Sequence, residues 1–108
     1  MSLKIGQEAE EKASLYLQRN GYTIFERNFH SKFGEIDIIA LKEGVLHFFE
    51  VKFSQKYDPI VRITPSKMKK IIMTINYYFL LHPMQYDYQI DAILIKNEQI
   101  EIIKNISY

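Results

Sequence analysis

Residues 34–54, GEIDIIALKEGVLHFFEVKFS, constrain this chain more than any other stretch. Two runs rich in apolar residues flank Glu43-Gly44, the pattern of a β-hairpin whose turn exploits the tolerance of glycine for positive φ. With a two-residue turn there, residues equidistant from it lie opposite one another. Ile38 then faces Phe49 and Ile36 faces Val51 on one side of the sheet. Leu41 faces Leu46 and Ile39 faces Phe48 on the other. The same register sets Asp37 opposite Glu50 and Glu35 opposite Lys52. A four-residue loop preserves this pairing, whereas an odd loop without a bulge sends Asp37 and Glu50 to opposite faces.

Like charges opposed across a ladder destabilise it. The face that carries Asp37 and Glu50 also carries Ile39, Leu41, Leu46 and Phe48, which predicts that it is covered. Two carboxylates at the edge of a covered face need a proton, a cation or a function. A hard divalent ion such as Mg²⁺ answers that need, because it takes oxygen ligands and is commonly held by one or two carboxylates. Lys52 projects from the same face as Glu50. The competing reading is a solvated sheet face, on which a Glu35–Lys52 ion pair contributes little.

Around the hairpin the elements follow from periodicity and punctuation. Ile5, Ala9, Ala13, Tyr16 and Leu17 form one stripe at helical spacing over residues 4–19, and Asn20-Gly21 stops it. YTIFERNFH predicts a first strand. SQKYDPIVRI, with Pro59, reads as a mobile loop. Thr64-Pro65 opens a second helix, with threonine as N-cap and proline at the first helical position, and His82-Pro83 ends it. QIDAILI and QIEIIKNI read as two final strands about a tight Asn97-Glu98 turn. The order helix, three strands, helix, two strands predicts an α/β fold with a mixed sheet flanked by helices, and 108 residues predict a single domain.

Composition narrows the classes. Absence of cysteine removes a disulfide scaffold and a thiolate zinc site. The polar start MSLKIGQEAEEK and the lack of any long apolar run predict a cytoplasmic protein with no membrane partner. A net charge of +1 leaves any phosphate affinity to local patches.

The D-x12-E-x-K spacing set in GEID…FFEVK resembles the PD-(D/E)XK nuclease superfamily. More narrowly, the chain from about Gly6 to Ile95 resembles the YraN-like family, which is similar to archaeal Holliday-junction resolvases. AEEKASLYL, GYTIFERNF, GEIDIIA, FFEVK, ITPSKMKKI and QIDAILI carry that resemblance. It implies a restriction-endonuclease-like core and a Mg²⁺- or Mn²⁺-dependent endonuclease acting on DNA, including branched or junction DNA, with a homodimer as one arrangement. Asp37 and Glu50 would hold the metal, with the Val51 carbonyl as a further ligand. Lys52 would orient or deprotonate the attacking water. The first helix should add an acid. Periodicity turns Glu11 to solvent and leaves Glu8 and Glu10 flanking the stripe. The family pattern favours Glu10, against its alternative as an ordinary first-turn acid.

Lys67, Lys69 and Lys70 either contact phosphate or form a solvated helix face, and the family pattern singles out Lys67. Lys70, Arg27 and Arg62 are further phosphate candidates, with Lys32 and Lys56 behind them, and Tyr57 could stack on an unpaired base. Asp91 is a second acid within a strand, where capping or pairing with a basic residue would account for it. His47 is expected to face solvent near the hairpin turn, and the histidines have no ligand spacing. His30, Ser54 and Gln89 replace arginines usual in the family, which lowers the expected grip on DNA. The rival function is a non-catalytic DNA- or protein-binding module on the same scaffold; a third is a partner-assembly domain.

Overall fold

The computed structural model describes residues 3–54 and 63–106, with side chains described for 6–53 and 63–106. The elements are α1 (Leu3–Arg19), β1 (Thr23–His30), β2 (Glu35–Lys42), β3 (Val45–Ser54), α2 (Pro65–Leu81), β4 (Asp87–Lys96) and β5 (Gln99–Ile103). Most of the expected SQKYDPIVRI loop, with Lys56, Tyr57 and Arg62, lies outside the described residues. The strands form one sheet in the order β1-β2-β3-β4-β5. Only the β3–β4 pairing is parallel, and α2 makes that crossover; the other neighbours are antiparallel.

Each helix covers one face. Ala9, Ala13 and Leu17 of α1 are buried against Ile38, Phe49, Ile93 and Ile95. Two of those helix residues are alanines, so the helix backbone can approach the sheet closely. On the opposite face, Met68, Ile71, Ile75 and Tyr78 of α2 cover Phe29, Ile39, Leu46, Phe48 and Ile90. The Thr64 side chain accepts a hydrogen bond from the Lys67 N–H at 3.1 Å, and Pro65 begins the helix, as the sequence predicts.

The hairpin turn is also as expected: Glu43 (φ 50°) and Gly44 (φ 77°) are both left-handed, the requirement of a type I′ turn. From Lys42–Val45 to Ile38–Phe49 the β2–β3 ladder keeps the predicted register. There it stops. The predicted pairs Asp37–Glu50, Ile36–Val51 and Glu35–Lys52 do not continue the ladder, and Ile36 does not share a face with Ile38. Ile36 joins the α2 side and Ile38 the α1 side. The neighbouring strand shows the same change, because Arg27 reaches α1 while Phe29 packs under α2. Between them Asn28 adopts φ 53°, a left-handed conformation that asparagine tolerates and that breaks strict alternation.

His47 contradicts its expected solvent position. It pairs with Ala40 as predicted but is only 6% exposed, edge-on to Tyr22 and stacked on Phe49 at 5.7 Å between centroids. Its Nδ1 lies 2.6 Å from Asp91 Oδ2, which supplies the basic partner expected for that acid. Gln89 Nε2 and the Asn105 N–H donate to Asp91 Oδ1 at 2.8 and 2.9 Å. The Ile106 N–H donates to the Ile90 carbonyl, so the segment after β5 is fastened back onto β4. Burial alone would raise the Asp91 carboxyl, but these hydrogen bonds and the His47 charge outweigh it and hold the group below its ordinary value.

A carboxyl held low in the folded state contributes stability above its unfolded pKa and loses it as pH falls through the folded one. Asp91→Asn should therefore cost about 3–5 kcal/mol near neutrality, as expected for breaking a buried pair. The gap from wild type should shrink by about pH 3. Urea denaturation at both pH values checks this, and an equal gap at the two would contradict it.

Candidate active site

Where the β2–β3 ladder ends, Asp37 replaces it. Its Oδ2 accepts the Val51 N–H at 2.7 Å, giving that amide a partner that the opposite strand does not supply. Glu50, the preceding residue on β3, is 7% exposed and faces α2. Asp37 and Glu50 thus come together, as predicted, through a parting of the strands and not through continued pairing.

The two acids share a cleft of about 440 Å³ with Phe33, Gly34 and Glu35 before them in the chain and Thr64, Ser66, Lys67, Lys70 and Ile71 from the start of α2. Lys67 Nζ stands 3.8 Å from Glu50 Oε2. Burial first, and the Asp37 charge second, push the Glu50 carboxyl from its ordinary 4.5 up to about 7, against the pull of Lys67 and then Lys52. The Asp37 carboxyl is raised as well, by burial above all and also by Glu35. The Val51 N–H, a hydrogen bond with Glu50 and the Lys67 charge oppose that rise.

Glu10 reaches the same place from α1. Its carboxyl is raised by burial, then by the Asp37 charge, while an Asn28 hydrogen bond and Arg27 favour the ionised form. Its Oε1 is buried with no hydrogen-bond partner. Glu8 is exposed, and Glu11 is exposed as predicted, holding Arg27 Nη1 at 2.9 Å. Of the two acids left open by helical periodicity, Glu10 is the one brought to Asp37. Among the described residues, no three acids or histidines gather tightly enough to make a complete metal cage.

The basic candidates divide. Lys67 and Lys70 line the cleft, whereas Arg27 is engaged with Glu11 against α1 and does not line it. Arg62 lies outside the described residues. Lys52 is half-buried; its charge acts on Glu50 but ranks behind that of Lys67. Sequence reasoning assigns Lys67 to phosphate alone and misses that it balances Glu50. The helix start at Thr64 carries part of that signal, since it fixes Lys67 in the first turn. Glu35, a third acid at the cleft, 3.4 Å from His30, escapes sequence reasoning because the extrapolated ladder pairs it with Lys52.

A mixed sheet covered by one helix before the hairpin and another at the parallel crossover, with acids at the strand parting, defines a restriction-endonuclease-like nuclease fold. The structure is similar to that of Archaeoglobus fulgidus Hjc, a Holliday junction resolvase from an archaeal hyperthermophile. The TM-score is 0.63 at 12% identity, over 88% of this chain and 72% of that one. The chain belongs to the uncharacterised protein family UPF0102, which matches residues 9–95 and is the family of YraN-like proteins that the sequence motifs indicate. A UPF0102 protein of Helicobacter pylori (strain Shi470) is 53% identical over 103 residues, covering 95% of this chain and 90% of the relative. Another, from a Nitratiruptor species, is 48% identical over 106 residues, covering 98% and 95%.

Between about pH 4.5 and 7 the folded chain keeps a proton on Glu50 that the unfolded chain has released, so its contribution to stability falls as pH rises through that window. Glu50→Gln removes the charge and should raise metal-free stability at about pH 8 by about 1–3 kcal/mol, with little gain at about pH 4. Thermal denaturation at the two pH values tests this; destabilisation at both would refute the stated origin of the shift.

Proposed function

We propose that this chain is a divalent-metal-dependent endonuclease that hydrolyses DNA phosphodiesters. The observation that carries the reading is the pairing of half-buried Asp37 with buried Glu50 at the parting of β2 and β3, open to a lysine-lined cleft. The donor set fits a hard cation. It offers only oxygens, its two carboxylates repel when both are ionised, and Oε1 of Glu10 is buried without a partner nearby. An incomplete protein cage suits Mg²⁺ or Mn²⁺ in particular, because such ions retain water and take further oxygens from a phosphate.

Asp37 and Glu50 would hold the ion, with the Val51 carbonyl as a further ligand and Glu10 assisting from α1. Bound there, the cation supplies Lewis-acid stabilisation of phosphate charge and lowers the pKa of a water. The Val51 N–H favours the ionised form of Asp37 and fixes its direction. Lys67 Nζ favours the ionised form of Glu50, the form able to bind a cation. Lys52, whose charge acts on Glu50, would orient the attacking water or accept its proton. Lys67 and Lys70, both on α2, give the cleft wall the charge needed to draw in a phosphate. The substrate we favour is branched DNA, with a homodimer presenting two clefts to two scissile strands.

Gln89 is turned inward to Asp91, so it provides no substitute for an arginine at that position. This favours, as a second reading, a binding module with a weakened grip. Incubation with single-stranded, duplex, flap and four-way-junction DNA separates the two. Mg²⁺- or Mn²⁺-dependent cleavage, abolished by chelator and reduced about 100-fold or more in Asp37→Asn and Lys52→Ala, supports the enzyme. Salt-sensitive binding without cleavage of any DNA supports the module.

A further inference from the structure

From the β1–β2 turn we infer that Phe33 is a base-stacking residue that makes the cleft selective for DNA with an unpaired nucleotide beside the scissile phosphate. The inference rests on the nuclease reading of the cleft and adds a substrate class to it. The turn from Ser31 to Gly34 is closed by the Ser31 N–H, which donates to the Gly34 carbonyl at 2.8 Å, and the Phe33 N–H donates to Ser31 Oγ at 3.0 Å. Ser31 Oγ also lies 2.8 Å from Thr74 Oγ1. Thr74 is wholly buried and its hydroxyl also reaches the Lys70 carbonyl at 2.9 Å, so Ser31 is tied to the backbone of α2. That chain of hydroxyls fastens the turn to α2. Phe33 on the turn and Lys67 and Lys70 on the helix are therefore held as parts of one cleft with Asp37 and Glu50.

Phe33 lines the cleft and is half-buried, with Lys32 Nζ 5.2 Å from its ring centroid. An aromatic ring with one ammonium over it, in a cleft that Lys67 and Lys70 also line, matches a nucleotide: the ring offers a stacking surface once the mobile Lys32 side chain turns to the backbone, where the other lysines meet it too. In an intact duplex each base has both faces taken by its neighbours. Only an unpaired, splayed base can offer a face to Phe33, as in single-stranded segments, flaps and junction centres. A ring that merely covered the turn would be replaceable by leucine.

The full chain, as wild type, Phe33→Leu and Phe33→Trp, is titrated in chelator against three 2-aminopurine-labelled oligonucleotides: a single strand, a blunt duplex and a flap. Wild type should prefer the single strand and the flap and should quench 2-aminopurine on binding. Phe33→Leu should weaken those two complexes roughly 5- to 100-fold, leave the duplex unchanged and lose the quench, while Phe33→Trp restores both. Binding by Phe33→Leu that matches wild type on all three DNAs overturns the inference, even if metal-dependent cleavage is intact. Flap preference and quench that depend on the ring support it even if no DNA is cut, and that result would sink the nuclease reading alone. Failure to bind any of the DNAs overturns the inference, and the nuclease reading then stands or falls with metal-dependent cleavage.

Discussion

The hydrogen bond from the Val51 amide to Asp37 is the interaction on which the rest of the site depends. A ladder that stops inside a sheet leaves main-chain groups without partners, and a buried amide in that state costs on the order of 1–3 kcal/mol. Asp37 meets that demand with its side chain, which lets β2 and β3 separate beyond Ile38 and Phe49 without an orphaned amide at Val51. The same contact fixes the direction of the carboxylate and draws it below the value that burial alone would impose. Support of the backbone and presentation of charge are thus one act by one residue.

Because the sheet opens at that point, both helices reach the acids from opposite sides. Ala9 and Ala13 keep α1 near the sheet and bring Glu10 to Asp37. On the other side, the Thr64 cap fixes where α2 begins, which sets Lys67 beside Glu50. The site is therefore electrically composite, with negative charge supplied by α1, β2 and β3 and compensating positive charge mainly by α2. Burial and the neighbouring Asp37 charge outweigh the pull of the lysines, which is why Glu50 moves so far above its ordinary value.

Much of this was legible in the chain. The turn at Glu43-Gly44, the register near it, the capped second helix and the two acids all follow from local patterns that tertiary packing did not overrule. The failures have two physical sources, irregular backbone and long-range packing. Alternation extrapolates from regular backbone; β1 departs from it at the left-handed Asn28, and in β2 Ile36 and Ile38 lie on opposite faces where the outer pairs of the hairpin do not form. Position relative to the turn suggested a solvent-facing His47, but exposure there depends on Tyr22 and on Asp91, a strand residue 44 positions further along the chain. The part played by Phe33 was invisible for a similar reason: the cleft exists only after the turn is fastened to α2.

The His47–Asp91 pair carries a consequence for assembly of the sheet. A parallel ladder between two apolar strands is weakly protected against sliding by two residues, because such a slide keeps every side chain on its original face. In β3 and β4 that slide would strand a buried carboxylate without its imidazole, an error costing about 3–5 kcal/mol. His47 lies three positions before Glu50, roughly 10 Å along the strand. The alignment that carries Glu50 to its place opposite Ala92 is thereby proofread by a pair outside the cleft.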